Sequence, residues 1–139
     1  MISSQSREGS HEFAARGRVL LVDGNPRDLE YFHSVLEAEG FEVCAETSCA
    51  EGVKRLEQEA FDFVLVDQGS PAFESRTLLE RAVEIDRHLP VVVLTRCLDM
   101  RCYLEAMQLG AVDYVEKPLS PAEALHLMET HLRPRKLVA

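Results

Sequence analysis

Two kinds of hydrophobic pattern alternate along the chain. Short continuous apolar runs, such as Val19 to Val22 and Val91 to Leu94, are expected of strands that are buried on both faces. Between such runs apolar residues recur at helical spacing, as Leu29, Phe32 and Leu36 do. The pattern predicts five strands, each followed by a helix. The strands are predicted at residues 19–22, 41–45, 61–66, 91–94 and 112–115.

Local signals indicate where several helices begin and end. Asn25-Pro26 combines an N-cap residue with proline at the first helical position, and Gly40 ends that helix. Thr47 or Ser48 is expected to cap the second helix. Ser120-Pro121-Ala122-Glu123 is a capping box that begins the last one.

The alternation of strands and helices predicts an α/β domain whose parallel sheet is covered on both faces. In such sheets the working groups lie beyond the carboxyl ends of the strands. This rule selects four residues as candidates for a functional site: Asp23, Asp67, Thr95 and Lys117.

The chain of 139 residues suits a single domain. Residues 1–17 lack sustained periodicity and contain Gly9-Ser10-His11-Glu12-Phe13, which is typical of an expression-vector remnant, so we expect a tag or a disordered leader there. Residues 18–133 are expected to form the domain. Residues 134–139 are interpreted as a C-terminal tail or the start of a linker.

Composition narrows the function classes. The chain carries 15 Lys and Arg against 24 Asp and Glu, and this formal charge of −9 argues against nucleic-acid binding. The longest apolar runs are far shorter than the roughly 20 residues of a membrane span, and no secretory signal is recognisable. The four cysteines lack zinc-site spacing, so we expect buried thiols and a cytoplasmic location.

Four segments together resemble the receiver domain of two-component response regulators. They occur in the right order and at the right strand ends, and they span most of the chain after residue 17. The resemblance implies a flavodoxin-like, doubly wound, five-stranded parallel sheet of order 2-1-3-4-5 with five helices. The segments are Leu21-Val22-Asp23-Gly24-Asn25-Pro26, Val66-Asp67-Gln68-Gly69-Ser70-Pro71, Leu94-Thr95 and Tyr114-Val115-Glu116-Lys117-Pro118.

The resemblance implies that Asp67 accepts a phosphoryl group from a sensor histidine kinase or a phosphotransfer protein. A carboxylate can attack phosphorus, and the transferring group then needs positive charge around its oxygens. Lys117 supplies one such charge, and the Thr95 hydroxyl donates to a phosphoryl oxygen. In the family Mg²⁺ supplies the rest, and it would be held here by Asp23, Asp67 and the backbone carbonyl of Gly69.

The resemblance also implies a switch. In receivers Thr95 and the aromatic at the position of Tyr114 move when the domain is phosphorylated, which alters the surface of helix four, strand five and helix five. Homodimers through that surface are common in the family. The alternative is that Tyr114 is a half-buried strand aromatic that does not move. Pro118 would follow a cis peptide bond that aims Lys117.

Two positions depart from the family pattern. Receivers usually carry two adjacent acids after strand one, and Gly24 replaces the second, so we expect weaker Mg²⁺ binding and less repulsion between carboxylates without metal. The alternative is that water or Asn25 fills the gap. Arg96 stands where receivers have a small residue; it either points to solvent or reaches Asp67 or Asp23 and replaces part of the metal's charge.

Three functions are therefore compared. The leading hypothesis is a signalling receiver, not an enzyme, that is phosphorylated on Asp67. The second is a degenerate receiver that acts through protein contacts without phosphorylation. The third, a small α/β phosphate-handling enzyme, is disfavoured because the chain has no dinucleotide or phosphate-binding glycine loop and no nucleophile elbow.

Overall fold

Five strands and five helices alternate along residues 16–132, which are the part of the chain that the computed structural model describes. The strands are β1 (Arg18–Val22), β2 (Glu42–Glu46), β3 (Phe63–Asp67), β4 (Val91–Thr95) and β5 (Asp113–Glu116). The helices are α1 (Pro26–Ala38), α2 (Cys49–Gln58), α3 (Arg76–Ile85), α4 (Met100–Leu109) and α5 (Pro121–His131). The predicted tail at 134–139 and most of the predicted leader lie outside the described residues.

The strands form one parallel sheet in the order β2-β1-β3-β4-β5, which confirms the predicted topology. The register brings the carboxyl ends of the central strands level, because Val22 pairs with Val66 and Asp67 pairs with Leu94. Asp67 and Thr95 are each the last residue of a strand. The side chains that follow β1, β3, β4 and β5 are therefore gathered at one edge of the sheet.

Helices cover both faces of the sheet, as predicted. Successive residues of β1 face opposite sides: Leu20 and Val22 pack toward α2, α3 and α4, while Val19 and Leu21 pack toward α1 and α5. Since both faces are covered, the central strands are apolar up to the site, apart from Arg18 at the start of β1.

Capping residues fix the turns that lead into the site. The Asn25 side chain accepts from the backbone N–H groups of Arg27 and Asp28, at 2.9 and 3.2 Å. Ser48, rather than Thr47, caps α2 through the N–H of Glu51. The capping box predicted at Ser120 is confirmed, with both of its hydrogen bonds formed.

The described structure starts β2 one residue later than predicted. Phe41 is buried, but its N–H donates to the Leu36 carbonyl at 3.1 Å and so ends α1 instead of joining the sheet. Arg16, inside the predicted leader, already packs on the domain, since its guanidinium lies 5.0 Å from the centre of the Phe41 ring and 3.0 Å from Glu129.

All four cysteines lie in the described residues and are free thiols. Cys102 is buried, whereas Cys97 is exposed, so the expected burial is wrong for Cys97. Within residues 16–132 no helix is long and apolar enough to cross a membrane.

Candidate functional site

A cavity opens at the carboxyl edge of the sheet, between the loops that follow β1, β3 and β4 and the residues after β5. Most of the residues predicted for the site line this cavity. Two further acids in its wall, Asp28 and Glu74, were not predicted. The charged residues around the centre of the cavity are Asp23, Asp28, Asp67, Arg96 and Lys117.

Lys117 is the centre of the site. Its Nζ donates to Asp23 Oδ2 at 2.8 Å and to Asp28 Oδ2 at 2.9 Å, and it forms an ion pair with Asp67 Oδ1 at 2.7 Å. One ammonium group therefore neutralises charge on three carboxylates. Because the Lys117 side chain is only 3% exposed, this interaction takes place out of contact with bulk water.

Burial and ion pairing both shift the pKa values of charged residues in the site. Burial lowers the pKa of Lys117, but the hydrogen bonds to three carboxylates outweigh it, so this pKa lies above its ordinary value. Burial raises the pKa of Asp23, and its hydrogen bonds with Lys117 and the Asn25 N–H offset only part of that rise. Burial acts the same way on Asp28, but Lys117 and Arg96 outweigh it and the pKa of Asp28 is lowered. Lys117 is therefore charged at neutral pH.

Asp67 is held in place and remains accessible. Its Oδ2 accepts from the Gly69 N–H at 2.9 Å, and its other oxygen faces Lys117. Gly69 has a φ of 93°, a conformation that glycine adopts without strain and that this tight turn requires. The Asp67 side chain is 20% exposed, whereas that of Asp23 is 2% exposed. Of these two carboxylates, Asp67 is the one that an incoming group can reach.

Gly24 leaves room for a side chain. A Cβ atom placed there touches only the Thr47 carbonyl, at an ordinary contact distance of 3.7 Å, and the backbone is not in the left-handed region. The preceding carboxylate of Asp23 accepts from the Asn25 N–H at 2.9 Å. Position 24 would therefore accept a Cβ atom, so lack of space for one does not explain why glycine stands there.

The donor set fits Mg²⁺ only in part. Mg²⁺ is commonly held by one or two carboxylates together with several waters. Asp23 and Asp67 meet that minimum, because a carboxylate oxygen that accepts one hydrogen bond still has a free lone pair. Within residues 16–132 no three His, Cys, Asp or Glu side chains are arranged to hold a metal ion. The residues therefore suit a metal site with two carboxylates and no third acid.

Arg96 turns toward the site but contacts an acid that the sequence did not single out. Its Nη2 lies 2.6 Å from Asp28 Oδ2, the same oxygen that accepts from Lys117. The predicted alternatives were solvent or a contact with Asp23 or Asp67. The observed geometry combines them, because the side chain is 60% exposed and yet forms an ion pair at the rim of the cavity. The only sequence signal for Asp28 was its place in the first turn of α1.

The Thr95 hydroxyl is engaged within its own loop. It donates to the Cys97 carbonyl at 2.9 Å and accepts from the Cys97 N–H at 3.1 Å. Thr95 is buried at the end of β4, so any contact with a group on Asp67 requires this hydroxyl to change partners. The Lys117–Pro118 peptide bond is cis, as the resemblance implied.

Tyr114 lies inside the protein and is tied to the residue that follows Asp67. Its hydroxyl donates to Gln68 Oε1, and the Gln68 amide donates to the Ser70 carbonyl at 2.9 Å. Gln68 is buried, and the edge of the Tyr114 ring packs on Tyr103 with 5.8 Å between ring centres. Sequence reasoning missed Gln68, for which the only signal was a polar residue directly after a buried strand.

The comparison with known families agrees with this geometry. The family model described as "Response regulator receiver domain" matches residues 19–129, which include every residue of the site. The chain belongs to the response regulator receiver family. Receiver domains serve two-component systems as signalling domains and are not typically enzymes, and they generally bind Mg²⁺ in an acidic pocket.

Individual relatives support this assignment. The receiver is 39% identical over 108 residues to the sensor protein GacS of Pseudomonas syringae pv. syringae, a match that covers 74% of this chain and 12% of that protein. It is 31% identical over 124 residues to the alginate biosynthesis transcriptional regulatory protein AlgB of Pseudomonas aeruginosa, with 89% and 28% covered. The receiver thus spans a small part of these relatives.

A solved structure confirms the fold. The CheY-like receiver domain protein from Methanospirillum hungatei JF-1 superposes with a TM-score of 0.76 at 28% sequence identity, covering 81% of this chain and 90% of that one. The predicted flavodoxin-like class is therefore correct.

Proposed function

We propose that this receiver accepts a phosphoryl group on Asp67 from the phosphohistidine of a sensor histidine kinase or a phosphotransfer protein. The observation that carries the proposal is the geometry of Asp67. Its side chain is 20% exposed at the end of β3, and one of its oxygens lies 2.7 Å from the buried ammonium of Lys117. In this proposal the domain works in the cytoplasm, where its free thiols suit the reducing conditions.

The transfer needs a nucleophile and charge stabilisation. An Asp67 oxygen attacks phosphorus, a P–O bond forms, and the P–N bond to the donor imidazole breaks. The bonding pair leaves with the imidazole nitrogen, which takes up a proton. Lys117 moves from the Asp67 oxygen to a phosphoryl oxygen, while Asp23 and Asp28 keep its ammonium oriented. Asp23, Asp67 and the Gly69 carbonyl would hold Mg²⁺, which would supply further positive charge to the phosphoryl oxygens.

The signal then passes through Thr95 and Tyr114. The phosphoryl group offers the Thr95 hydroxyl a charged acceptor in place of the Cys97 carbonyl. A shift of Thr95 changes the packing beside Tyr114 and with it the surface of α4, β5 and α5. That surface carries exposed apolar side chains, among them Met100 and Leu104, and is the proposed contact with a second receiver or an output partner.

The test of phosphorylation is acyl-phosphate labelling. The receiver is incubated with a phosphorylated histidine kinase and with phosphoramidate, and the product is measured by intact mass. We expect a single phosphoryl adduct in the wild type and none in Asp67→Asn. Asp113→Asn, which changes an acid at the opposite end of β5, is the matched control and should be labelled normally. Equal labelling of Asp67→Asn and the wild type would refute the proposal.

A second candidate is a degenerate receiver that acts through protein contacts alone. Two observations favour it: Gly24 withholds an acid, and Lys117 is already satisfied by three carboxylates without a metal. It predicts no adduct on Asp67 with either donor at any Mg²⁺ concentration. It also predicts that partner binding is unchanged in Asp67→Asn.

A further inference from the structure

Asp28 joins two cations at the edge of the cavity. A single oxygen of its carboxylate accepts from Lys117 at 2.9 Å and from Arg96 at 2.6 Å. Lys117 in turn lies 2.7 Å from Asp67. Because Asp28 and Asp67 hold the same ammonium, their carboxylates are neighbours, and the Arg96 guanidinium is only one carboxylate away from the phosphoacceptor.

The bond between Arg96 and Asp28 is easily given up. The Arg96 side chain is 60% exposed, and ion pairs at that exposure are screened by water and contribute little to stability. Asp28 is not left unpaired when Arg96 departs, because Lys117 still donates to it. A phosphoryl group on Asp67 would bring two negative charges and three acceptor oxygens beside the guanidinium, and the fork of an arginine matches such oxygens.

The balance of acids and cations around the cavity also favours a contact between Arg96 and a group on Asp67. With Gly24 in place, Asp23, Asp28 and Asp67 face Lys117 and Arg96, so three acids meet two cations. Another acid in the wall, Glu74, accepts from the Ser70 N–H and hydroxyl at 2.6 and 2.8 Å, within its own loop. Lys117 and Arg96 thus supply positive charge that a divalent ion, held by a second acid, would otherwise supply.

We propose that Arg96 is a phosphoryl ligand of this receiver, held on Asp28 until the anion arrives and then bound to the phosphoryl oxygens on Asp67. This inference rests on the proposed function. It adds that part of the stabilising charge comes from the protein, so that labelling depends less on Mg²⁺ than it would without Arg96.

The test compares Arg96→Ala and Arg96→Lys with the wild type and with Arg87→Ala. Arg87 is an exposed arginine in the loop before β4, at the opposite end of the sheet, and serves as the matched control. The first readout is the binding of beryllium fluoride, a phosphoryl mimic that needs no donor chemistry, followed by fluorine NMR at several Mg²⁺ concentrations. The second is the Nε–H resonance of Arg96, and the third is the rate of Asp67 labelling by phosphoramidate.

We expect Arg96→Ala to weaken beryllium fluoride binding and slow labelling by roughly tenfold, the size of one lost charge-assisted hydrogen bond. It should also raise the Mg²⁺ concentration needed for half-maximal binding. Arg96→Lys keeps the positive charge but lacks the forked guanidinium, so its affinity and labelling rate should lie between those of Arg96→Ala and the wild type. Arg87→Ala should match the wild type. In the wild type the Arg96 resonance should move when the mimic binds.

The outcomes separate the two proposals. If neither the phosphorylated kinase nor phosphoramidate labels Asp67 but beryllium fluoride binding still requires Arg96, the proposed function fails and the ligand role of Arg96 stands. If Arg96→Ala binds the mimic as well as the wild type does, or binds it better because a covering side chain is gone, the ligand role is refuted. A wild type that does not bind beryllium fluoride would also refute the ligand role.

Discussion

Replacing Lys117 with methionine should expose how much the receiver depends on one buried cation. The substitution keeps most of the length of the side chain, which becomes one atom shorter, and removes its charge. It leaves Asp23, whose side chain is 2% exposed, without its partner, and removal of one member of a buried pair typically costs about 3–5 kcal/mol. Since domains of this size are stable by about 5–15 kcal/mol, the variant should lose a large share of its free energy of unfolding.

The assay is urea unfolding followed by the far-ultraviolet helix signal. Lys54→Met is the matched control, because the Lys54 side chain is 65% exposed and forms a surface ion pair with Glu51 at 3.4 Å. We expect the control to change the free energy of unfolding by less than about 0.5 kcal/mol. Adding Asp23→Asn to Lys117→Met should restore part of the loss, because it removes the unpaired buried charge.

The pH dependence of the free energy of unfolding gives a second test of Lys117→Met. The pKa of Asp23 is already raised by burial, and without Lys117 it should rise further above its value in the unfolded chain. A carboxyl with a raised folded pKa gains stability as the pH falls and it takes up a proton. The difference in free energy of unfolding between variant and wild type should therefore narrow as the pH falls from neutral toward acid. A loss no larger than that of Lys54→Met, or a difference that widens at low pH, would refute the reasoning.

Three further predictions follow from the site. Gly24→Asp should raise the Mg²⁺-induced shift in melting temperature, since position 24 has room for a Cβ atom and follows Asp23 directly, whereas Gly24→Asn should not. Equal shifts would place position 24 away from the metal. Gln68→Leu removes the acceptor of the Tyr114 hydroxyl, so it should cost about 1–3 kcal/mol and speed amide exchange in α4, and unchanged exchange would contradict this. The pKa of Lys117 is raised, so its contribution to stability should be lost as the pH rises above 10.5. The pKa of Asp28 is lowered, so its contribution should be lost as the pH falls below 3.8. Urea titrations across the pH range would measure both losses.

Most of the fold could be predicted from the sequence because local signals and long-range requirements agree. The apolar run that ends at Asp67 fits a strand covered on both faces, and its position at a strand end places the carboxylate at the cavity. The start of β2 was misplaced for a physical reason. Phe41 has the apolar side chain of a strand residue, but its N–H is used to end a helix, and side-chain pattern alone does not reveal that use.

The site was predicted less completely, since it depends on how the elements pack. Asp28 belongs to a helix whose acids mostly face solvent, and only the packing of α1 beside the end of β5 brings it to Lys117. Gln68 was overlooked because a polar residue after a strand usually belongs to an exposed loop, whereas here its amide is buried against Tyr114. Arg96 turns toward Asp28, so the direction of its side chain could not be predicted without first placing Asp28 in the site.

The edge contact between Tyr103 and Tyr114 gives this receiver an optical reporter of its own. The sequence contains three tyrosines and no tryptophan, so near-ultraviolet optical activity comes mainly from a few rings in fixed packing. One ring of the pair is tied to the residue beside Asp67, and the other stands on α4. The proposed movement of Tyr114 relative to α4 would alter their 5.8 Å separation or their 66° tilt. The unlabelled protein would then report the proposed switch, without a dye or an introduced fluorophore.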